Sequence, residues 1–279
     1  MKKIEIKEFG GPEVLEIKNV DIGKPGQNEV LVKNLSIGIN YIDTYHRSGL
    51  YPIPLPSGIG LEACSIIEEV GSEVKLFKVG DRVTRASMPI GTYSEKQIIP
   101  EDKLVKVPDN ISDEVASCIT LKGITAEYLL HRTYQVKKGD KILYHAAAGA
   151  LGQIFCPWAN ALGAEIIGTV GSDEKIEIAK KNGCHHVINY NEKNFVEEVE
   201  KIVGKNGLDV VYDGVGANTF EGSIEVLKVR GMMVAFGNAS GYVHTLDIKK
   251  HINVNGLFFT RPSISHYTII RQELEEAAE

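Results

Sequence analysis

Hydrophobic positions follow two different rhythms along the chain, and the change falls near residue 120. Before it, apolar residues come in short runs or alternate with polar ones. Lys3–Lys7 alternates, Val14–Ile17 and Glu29–Asn34 are short and apolar-rich, and Ala63–Val70, Asp81–Arg85, Tyr93–Ile99 and Lys103–Val107 follow. Gly71 and Gly80 stand as turn points, and Pro52, Pro54 and Pro56 mark an irregular loop. Short strands punctuated by Gly and Pro predict a partly closed β-barrel. After Asp109 the rhythm becomes helical, with Ser112 capping a stretch that carries acids in its first turn and a second helix over Gly123–Tyr134. Strands and helices then alternate. The strands are Lys141–His145, Ala164–Val170, His186–Tyr190, Leu208–Asp213, Gly231–Phe236 and Val254–Thr260. The helices are Leu151–Leu162, Ser172–Asn182, Glu192–Val203 and Asn218–Leu227. That alternation predicts an α/β fold with a doubly wound parallel sheet, a Rossmann domain. The domains read as 1–122 for the barrel and 123–279 for the Rossmann part. Pro157 lies inside a predicted helix, where a missing N–H should kink it.

The junction of the first strand and helix, KILYHAAAGALG (141–152), carries the first chemical signal. A dinucleotide-binding turn reads G-x-G-x-x-G, and Ala147, Gly149 and Gly152 occupy its three positions. A small first residue permits the tight turn, Gly149 admits a pyrophosphate to the backbone, and Gly152 lets the helix pack on its strand. With Ala150 and Leu151 the turn would present the helix N-terminus to the phosphates. On the hexamer alone an ordinary strand-to-helix turn fits as well.

Composition narrows the class. The chain has 279 residues, 43% of them hydrophobic and 24% charged, with a net charge of −6. That length suits two domains with sizeable cores, and the negative charge argues against nucleic-acid binding. No apolar run reaches bilayer length, and MKKIEIKEFGG lacks the apolar core of a signal peptide. Cys64, Cys118, Cys156 and Cys184 are scattered with no C-x-x-C pair, which speaks against a zinc lobe or a disulfide framework and for a reducing cytoplasm. No Ser-His-Asp or Cys-His nucleophile pattern is evident, and the histidines are dispersed.

Ordered stretches run along nearly the whole chain, among them FGGPEVLE (9–16), IGINYIDTYHRSGLYP (37–52), LPSGIGLEACSIIEEVGSEV (55–74), LKGITAEYLL (121–130), HAAAGALGQ (145–153), VVYDGVG (210–216) and FGNASG (236–241). Together they resemble the zinc-independent quinone oxidoreductases, the zeta-crystallin type, of the medium-chain dehydrogenase/reductase superfamily. The resemblance implies a GroES-like barrel joined to the Rossmann domain. Zinc enzymes of that superfamily place a Cys and a His where this chain has Asn40 and Leu61, so no metal is expected. It also implies NADPH. The second Rossmann strand ends in Gly171 rather than in an acid, leaving room for a 2′-phosphate, with Lys175 to supply charge and Tyr190 a hydroxyl. The competing choice is NAD with Asp173 as the ribose-binding acid, although an acid at a helix start is also favoured by the dipole.

Further cofactor positions follow from the same pattern: Asn40 and Thr125, then Phe236, Gly237, Asn238 and Ser240 after the fifth strand, and Phe259 and Arg261 after the sixth. On the substrate side stand Asn40, Asp43, Tyr45 and Tyr51, with the tyrosines walling a flat quinone and Asn40 orienting groups. Asp43 also fits a helix N-cap, and Tyr45 interface packing. In the family the chain continues beyond the point matching Glu279 and closes the barrel, so a truncated C-terminus is expected, with activity open to question. The expected protein is a cytoplasmic homodimer paired through its Rossmann domains. It would pass hydride from NADPH to a quinone. The alternatives are an NADPH-dependent enone or alkenal reductase and a non-catalytic, NADPH-binding or crystallin-like protein.

Overall fold

Alternating segments of the first third pair into two antiparallel sheets in the computed structural model, which describes all 279 residues. The chain forms two units, Met1–Ile124 with Tyr267–Glu279, and Thr125–His266. In the first unit the strands are β1 (Lys2–Ile6), β2 (Glu16–Asn19), β3 (Glu29–Gly38), β4 (Ser57–Gly58), β5 (Glu62–Val70), β6 (Arg82–Ala86), β7 (Lys96–Pro100) and β8 (Val105–Lys106). They build one sheet of order β2-β1-β4 and another of order β7-β3-β5-β6-β8. A core of Val30, Val32, Ile67, Val83, Ile99 and Leu104 lies under the larger sheet. Two helices belong to this stretch, α1 (Tyr41–Ser48) and α2 (Asp113–Glu127).

Several elements depart from the sequence pattern. Pro12–Val14 makes a single 3₁₀ turn with Pro12 at its first position, so β2 starts only at Glu16. β3 continues past Asn34 to Gly38, with register shifts against β5 that let it bend. The two predicted helices around Gly123 are one α-helix, α2, followed by a π-type turn at Tyr128–Thr133. Gly123 sits inside α2 with only Ile119 Cγ1, at 4.0 Å, near its missing side chain. α2 packs tightly on the larger sheet. A Cβ on Gly38 would stand 1.9 Å from the Ser117 carbonyl and 2.8 Å from Glu62 Oε2. Ser36 and Ser117 share a 2.8 Å hydroxyl contact, and Thr84 donates to the Ala116 carbonyl.

The second unit holds β9 (Lys141–Tyr144), α3 (Gly152–Ala161), β10 (Glu165–Val170), α4 (Ile176–Lys181), β11 (His186–Asn189), α5 (Phe195–Val203), β12 (Leu208–Asp213), α6 (Phe220–Glu225), β13 (Leu227–Ala235) and β14 (Phe258–Thr260). All six strands are parallel, in the order β11-β10-β9-β12-β13-β14. This is the doubly wound order, with its switch point between β9 and β12, where such sheets bind ligands beyond the strand ends. Apolar strands buried on both faces supply the core, among them Leu143, Ile167, Val211 and Met233. Pro157 is accommodated within α3, which continues through it to Ala161. The last helix, α7 (Arg271–Ala278), is counted with the first unit. Arg271 donates to the carbonyls of Leu104 and Asp102 and lies 5.7 Å from the Phe77 ring centre. No helix is long and apolar enough to cross a membrane.

Candidate active site

The substrate-side residues of the first unit gather at the end of β3 and the start of α1. Asn40 is the N-cap of α1 in an extended conformation, the position where an Asn side chain ordinarily accepts a helix N–H. Here the amide is turned away from the helix. Its Nδ2 donates to Glu62 Oε2 at 2.8 Å, and its Oδ1 accepts from Lys122 Nζ at 2.7 Å. Since an ammonium only donates and a carboxylate only accepts, these partners fix which end of the amide is which. Glu62, fully buried at the start of β5, also accepts from Lys122 Nζ at 3.2 Å and from the Leu121 N–H at 2.7 Å.

Asp43 acts as the local cap, accepting the Asn40 N–H at 2.9 Å through Oδ2. The same oxygen accepts the Tyr93 hydroxyl at 2.9 Å. Burial pushes the Asp43 carboxyl above its ordinary value, against the pull of the Asn40 N–H, the Tyr93 hydroxyl and the Lys122 charge. Its Oδ1, with His46 Nδ1 and Thr92 Oγ1, is buried and has no hydrogen-bond partner. Tyr45 and Tyr51 lie with ring centres 5.0 Å apart, and Tyr41 meets Tyr45 edge-on at 5.4 Å. The structure therefore brings Asn40 and Asp43 into one polar network and the two tyrosines into one aromatic cluster.

Sequence reasoning passes over Glu62, Lys122 and Tyr93. A signal was present for two of them. Glu62 is the single charge in IGLEACSII, and Lys122 the single charge in CITLKGITA. Opposite charges isolated in apolar runs are candidates for a buried pair, because neither is tolerated inside alone. The positions read as former zinc ligands hold the Asn40 amide and a buried Leu61. No group of three or more His, Cys, Asp or Glu side chains comes together in a way that could hold a metal ion.

In the second unit the turn after β9 is tight. Ala146 has φ of 61°, Ala147 is fully buried, and Gly149 N donates to the Ala146 carbonyl at 2.8 Å. A Cβ on Gly152 would lie 2.4 Å from the Ala147 carbonyl oxygen, so α3 can approach β9 this closely only with glycine there. Ala150 and Leu151 complete the turn before α3. At the end of β10, a Cβ on Gly171 would stand 3.3 Å from the Tyr190 hydroxyl, so two of the three predicted 2′-phosphate residues are neighbours. Lys175 closes a 3₁₀ turn over Asp173–Lys175, exposed and without an ion-pair partner. The competing acid, Asp173, is engaged: its Oδ1 accepts from Asn189 Nδ2 at 2.9 Å.

The loop after β13 folds onto the glycines after β12. Phe236 N donates to the Asp213 carbonyl, Ala239 N to Gly214 and Ser240 N to Val215. Gly237 leaves no room for a Cβ against the Gly214 carbonyl at 2.4 Å. Asn238 is buried, and the Ser240 hydroxyl bridges the Val215 carbonyl and the Asn218 N–H. Phe236 lies tilted beside Tyr144, ring centres 6.0 Å apart. Phe259 turns instead toward the core, meeting Phe220 at 6.2 Å, while Arg261 donates to the Pro262 carbonyl. Thr125 is buried near the end of α2. The second unit thus joins a small-residue turn to a helix N-terminus after β9, and sets Gly171 beside the Tyr190 hydroxyl at the end of β10.

Comparisons with known proteins agree with the fold. The family model described as alcohol dehydrogenase GroES-like domain matches residues 26–109, and that described as zinc-binding dehydrogenase matches residues 150–279. The solved structure of Escherichia coli quinone oxidoreductase complexed with NADPH superposes with a TM-score of 0.96 at 48% identity, covering 99% of this chain and 85% of that one. Quinone oxidoreductase of Pseudomonas aeruginosa is 45% identical over all of this chain and 86% of its own length. A 2-haloacrylate reductase from a Burkholderia species is 45% identical over 98% of this chain and 84% of its own. By likeness at this level along its whole length, the chain belongs to the quinone oxidoreductase family of the medium-chain dehydrogenases/reductases.

Proposed function

We propose that the protein is an NADPH-dependent oxidoreductase that reduces a quinone without a metal, working in the cytoplasm. The observation that carries the cofactor half is the corner at the end of β10. Gly171 carries no acid to repel a 2′-phosphate, the Tyr190 hydroxyl stands beside it, and Lys175 is exposed and unpaired. NADPH supplies the hydride when bound. Ala147, Gly149, Ala150, Leu151 and Gly152 would receive its pyrophosphate. Gly171, Lys175 and Tyr190 would hold its 2′-phosphate, and Thr125, Phe236, Gly237, Asn238, Ser240 and Arg261 would line its nicotinamide end. Phe259 would support that end from the core. Tyr45 and Tyr51 would wall the flat substrate, and Asn40 and Asp43 would orient it. Hydride transfer depends above all on such positioning.

A second reading shares the cofactor and differs in the acceptor: an activated alkene, as the name of the 2-haloacrylate reductase relative suggests. The test is NADPH oxidation followed side by side with a simple benzoquinone and with 2-chloroacrylate, after NADPH and NADH have been titrated by fluorescence. Tighter binding of NADPH and turnover of the quinone is the expected result. Turnover of the chloroacrylate alone favours the second reading, and cofactor binding without any turnover overturns both.

A further inference from the structure

A lysine buried beside Asn40 has more hydrogen-bonding capacity than the protein uses. Lys122 is about nine-tenths buried. Its ammonium has three N–H donors. One reaches Asn40 Oδ1 at 2.7 Å and one Glu62 Oε2 at 3.2 Å, and the protein offers the third no acceptor. Glu62 is better served: Asn40 Nδ2, Lys122 Nζ and the Leu121 N–H donate to three of the about four lone-pair sites of its carboxylate.

Stability does not account for this pair. A buried ion pair is often no better than apolar residues of the same volume, because desolvating two charges offsets their attraction. What the pair does is hold a cation rigidly at the edge of the substrate-side residues. Glu62 fixes Lys122, both fix the Asn40 amide, and Asn40 leads into the helix that carries Asp43 and Tyr45. Asp43 lies close enough to feel the charge of both.

We infer that Lys122 is the donor that stabilises negative charge on the substrate oxygen during reduction; this rests on the quinone or activated-alkene reading above. A hydride brings two electrons and one proton to a quinone. The product is the oxidised nicotinamide and a quinol monoanion, whose oxygen takes a proton from water afterwards. Charge therefore appears on one oxygen at the transition state, and a preorganised cation in a dry site stabilises it where water would have to reorient. Conjugate reduction of an acrylate creates the same demand at its carboxyl oxygen.

The test uses Lys122→Met, which keeps the length of the chain and removes the charge, and the double variant Lys122→Met/Glu62→Gln. The double variant leaves no unpaired buried carboxylate, and the Asn40 amide can turn over to accept from the new glutamine, so it reports on function where the single variant fails to fold. Both are expected to lose about a hundredfold in kcat, the usual cost of removing an oxyanion donor, while NADPH affinity stays at the wild-type value. An independent readout uses p-nitrophenol, whose yellow anion imitates the product oxygen. Bound to the wild-type protein with NADP⁺ it should ionise at a lower pH than in buffer, and in both variants that lowering should vanish. Failure of the wild type to bind the probe or to lower its ionisation, persistence of the lowering in the double variant, or a parallel loss of NADPH affinity overturns the assignment. If the wild type reduces neither acceptor, the functional reading fails by itself and the p-nitrophenol titration still decides the role of Lys122.

Discussion

At the scale of single residues, two side chains carry predictions that separate cofactor choice from stability. Lys175 faces solvent with no partner, so its whole contribution to binding must come from a ligand group. A charge-assisted bond to a phosphate is strong, but an exposed lysine is screened. Lys175→Ala should therefore weaken NADPH binding by about tenfold, roughly 1.4 kcal/mol, and leave NADH binding unchanged. Gly171→Asp should reverse the preference, because its carboxylate would repel a phosphate and accept from a ribose hydroxyl. Equal weakening of both nucleotides by Lys175→Ala would return Asp173 to consideration, against its present engagement with Asn189. His145 makes a different prediction. It is buried between the Thr169 and Ser223 hydroxyls, each at 2.9 Å, and burial holds its imidazole below the ordinary value of 6.5, with Asp213 pulling weakly the other way. The folded state thus prefers it neutral, and the unfolded chain binds the proton first. The stability it contributes is complete above pH 6.5 and drains away as pH falls below that. Melting temperature measured from pH 7.5 downward should decline below about 6.5, and His145→Gln should flatten that part of the slope. An unchanged slope would show that other groups govern it.

At the scale of elements, what the sequence reveals depends on the range over which a signal acts. The six Rossmann strands and the turn before α3 are legible because a strand, its small residues and its helix are contiguous, and parallel connections allow few topologies. Gly152 is the sharpest case. Its place in the G-x-G-x-x-G pattern predicts that it lets α3 pack on its strand, and its hydrogen faces the Ala147 backbone. Gly152→Ala would put a methyl 2.4 Å from a carbonyl oxygen that no rotamer change can move. It should cost about 1–3 kcal/mol, visible as a lower melting temperature and weaker NADPH binding. Gly149→Ala, whose nearest neighbour is 3.0 Å away, should cost less. If the two variants melt alike, the close approach is not what Gly152 provides. The break expected at Gly123 was misleading for an energetic reason. A glycine costs a helix interior about 1 kcal/mol, which burial of Ala116 and Ile124 on the same helix outweighs. The Asn40 network was illegible for a topological one: its partners lie 22 and 82 residues away along the chain. No local periodicity reports a contact of that separation, and only the isolated charges of Glu62 and Lys122 hinted at it.

At the scale of the whole molecule, the second unit offers one edge for assembly. β14 ends the six-stranded order, paired with β13 on one side only. Its unpaired edge is a template for a second strand, and a copy of the same strand about a twofold axis is the simplest partner. Three residues of edge pairing cannot suffice alone, since stable interfaces bury about 1,200–2,000 Å² in total. The segment leading into β14 supplies more apolar surface: Ile248 is 71% exposed, Val254 67% and Phe258 57%. Leu257 and Phe259 face inward, Leu257 only 5% exposed and Phe259 packed against the core, so changes there would test folding rather than assembly. Phe258 is the informative position. Light scattering at micromolar concentration should give twice the mass of one chain, and Phe258→Lys should halve it by setting two like charges opposite each other across the axis. The variant should keep the native circular dichroism and the native NADPH affinity, because the Phe258 side chain is exposed while its neighbour Phe259 packs on the core. A native protein of single-chain mass, or a Phe258→Lys variant that still pairs, would place the contact on another surface or remove it.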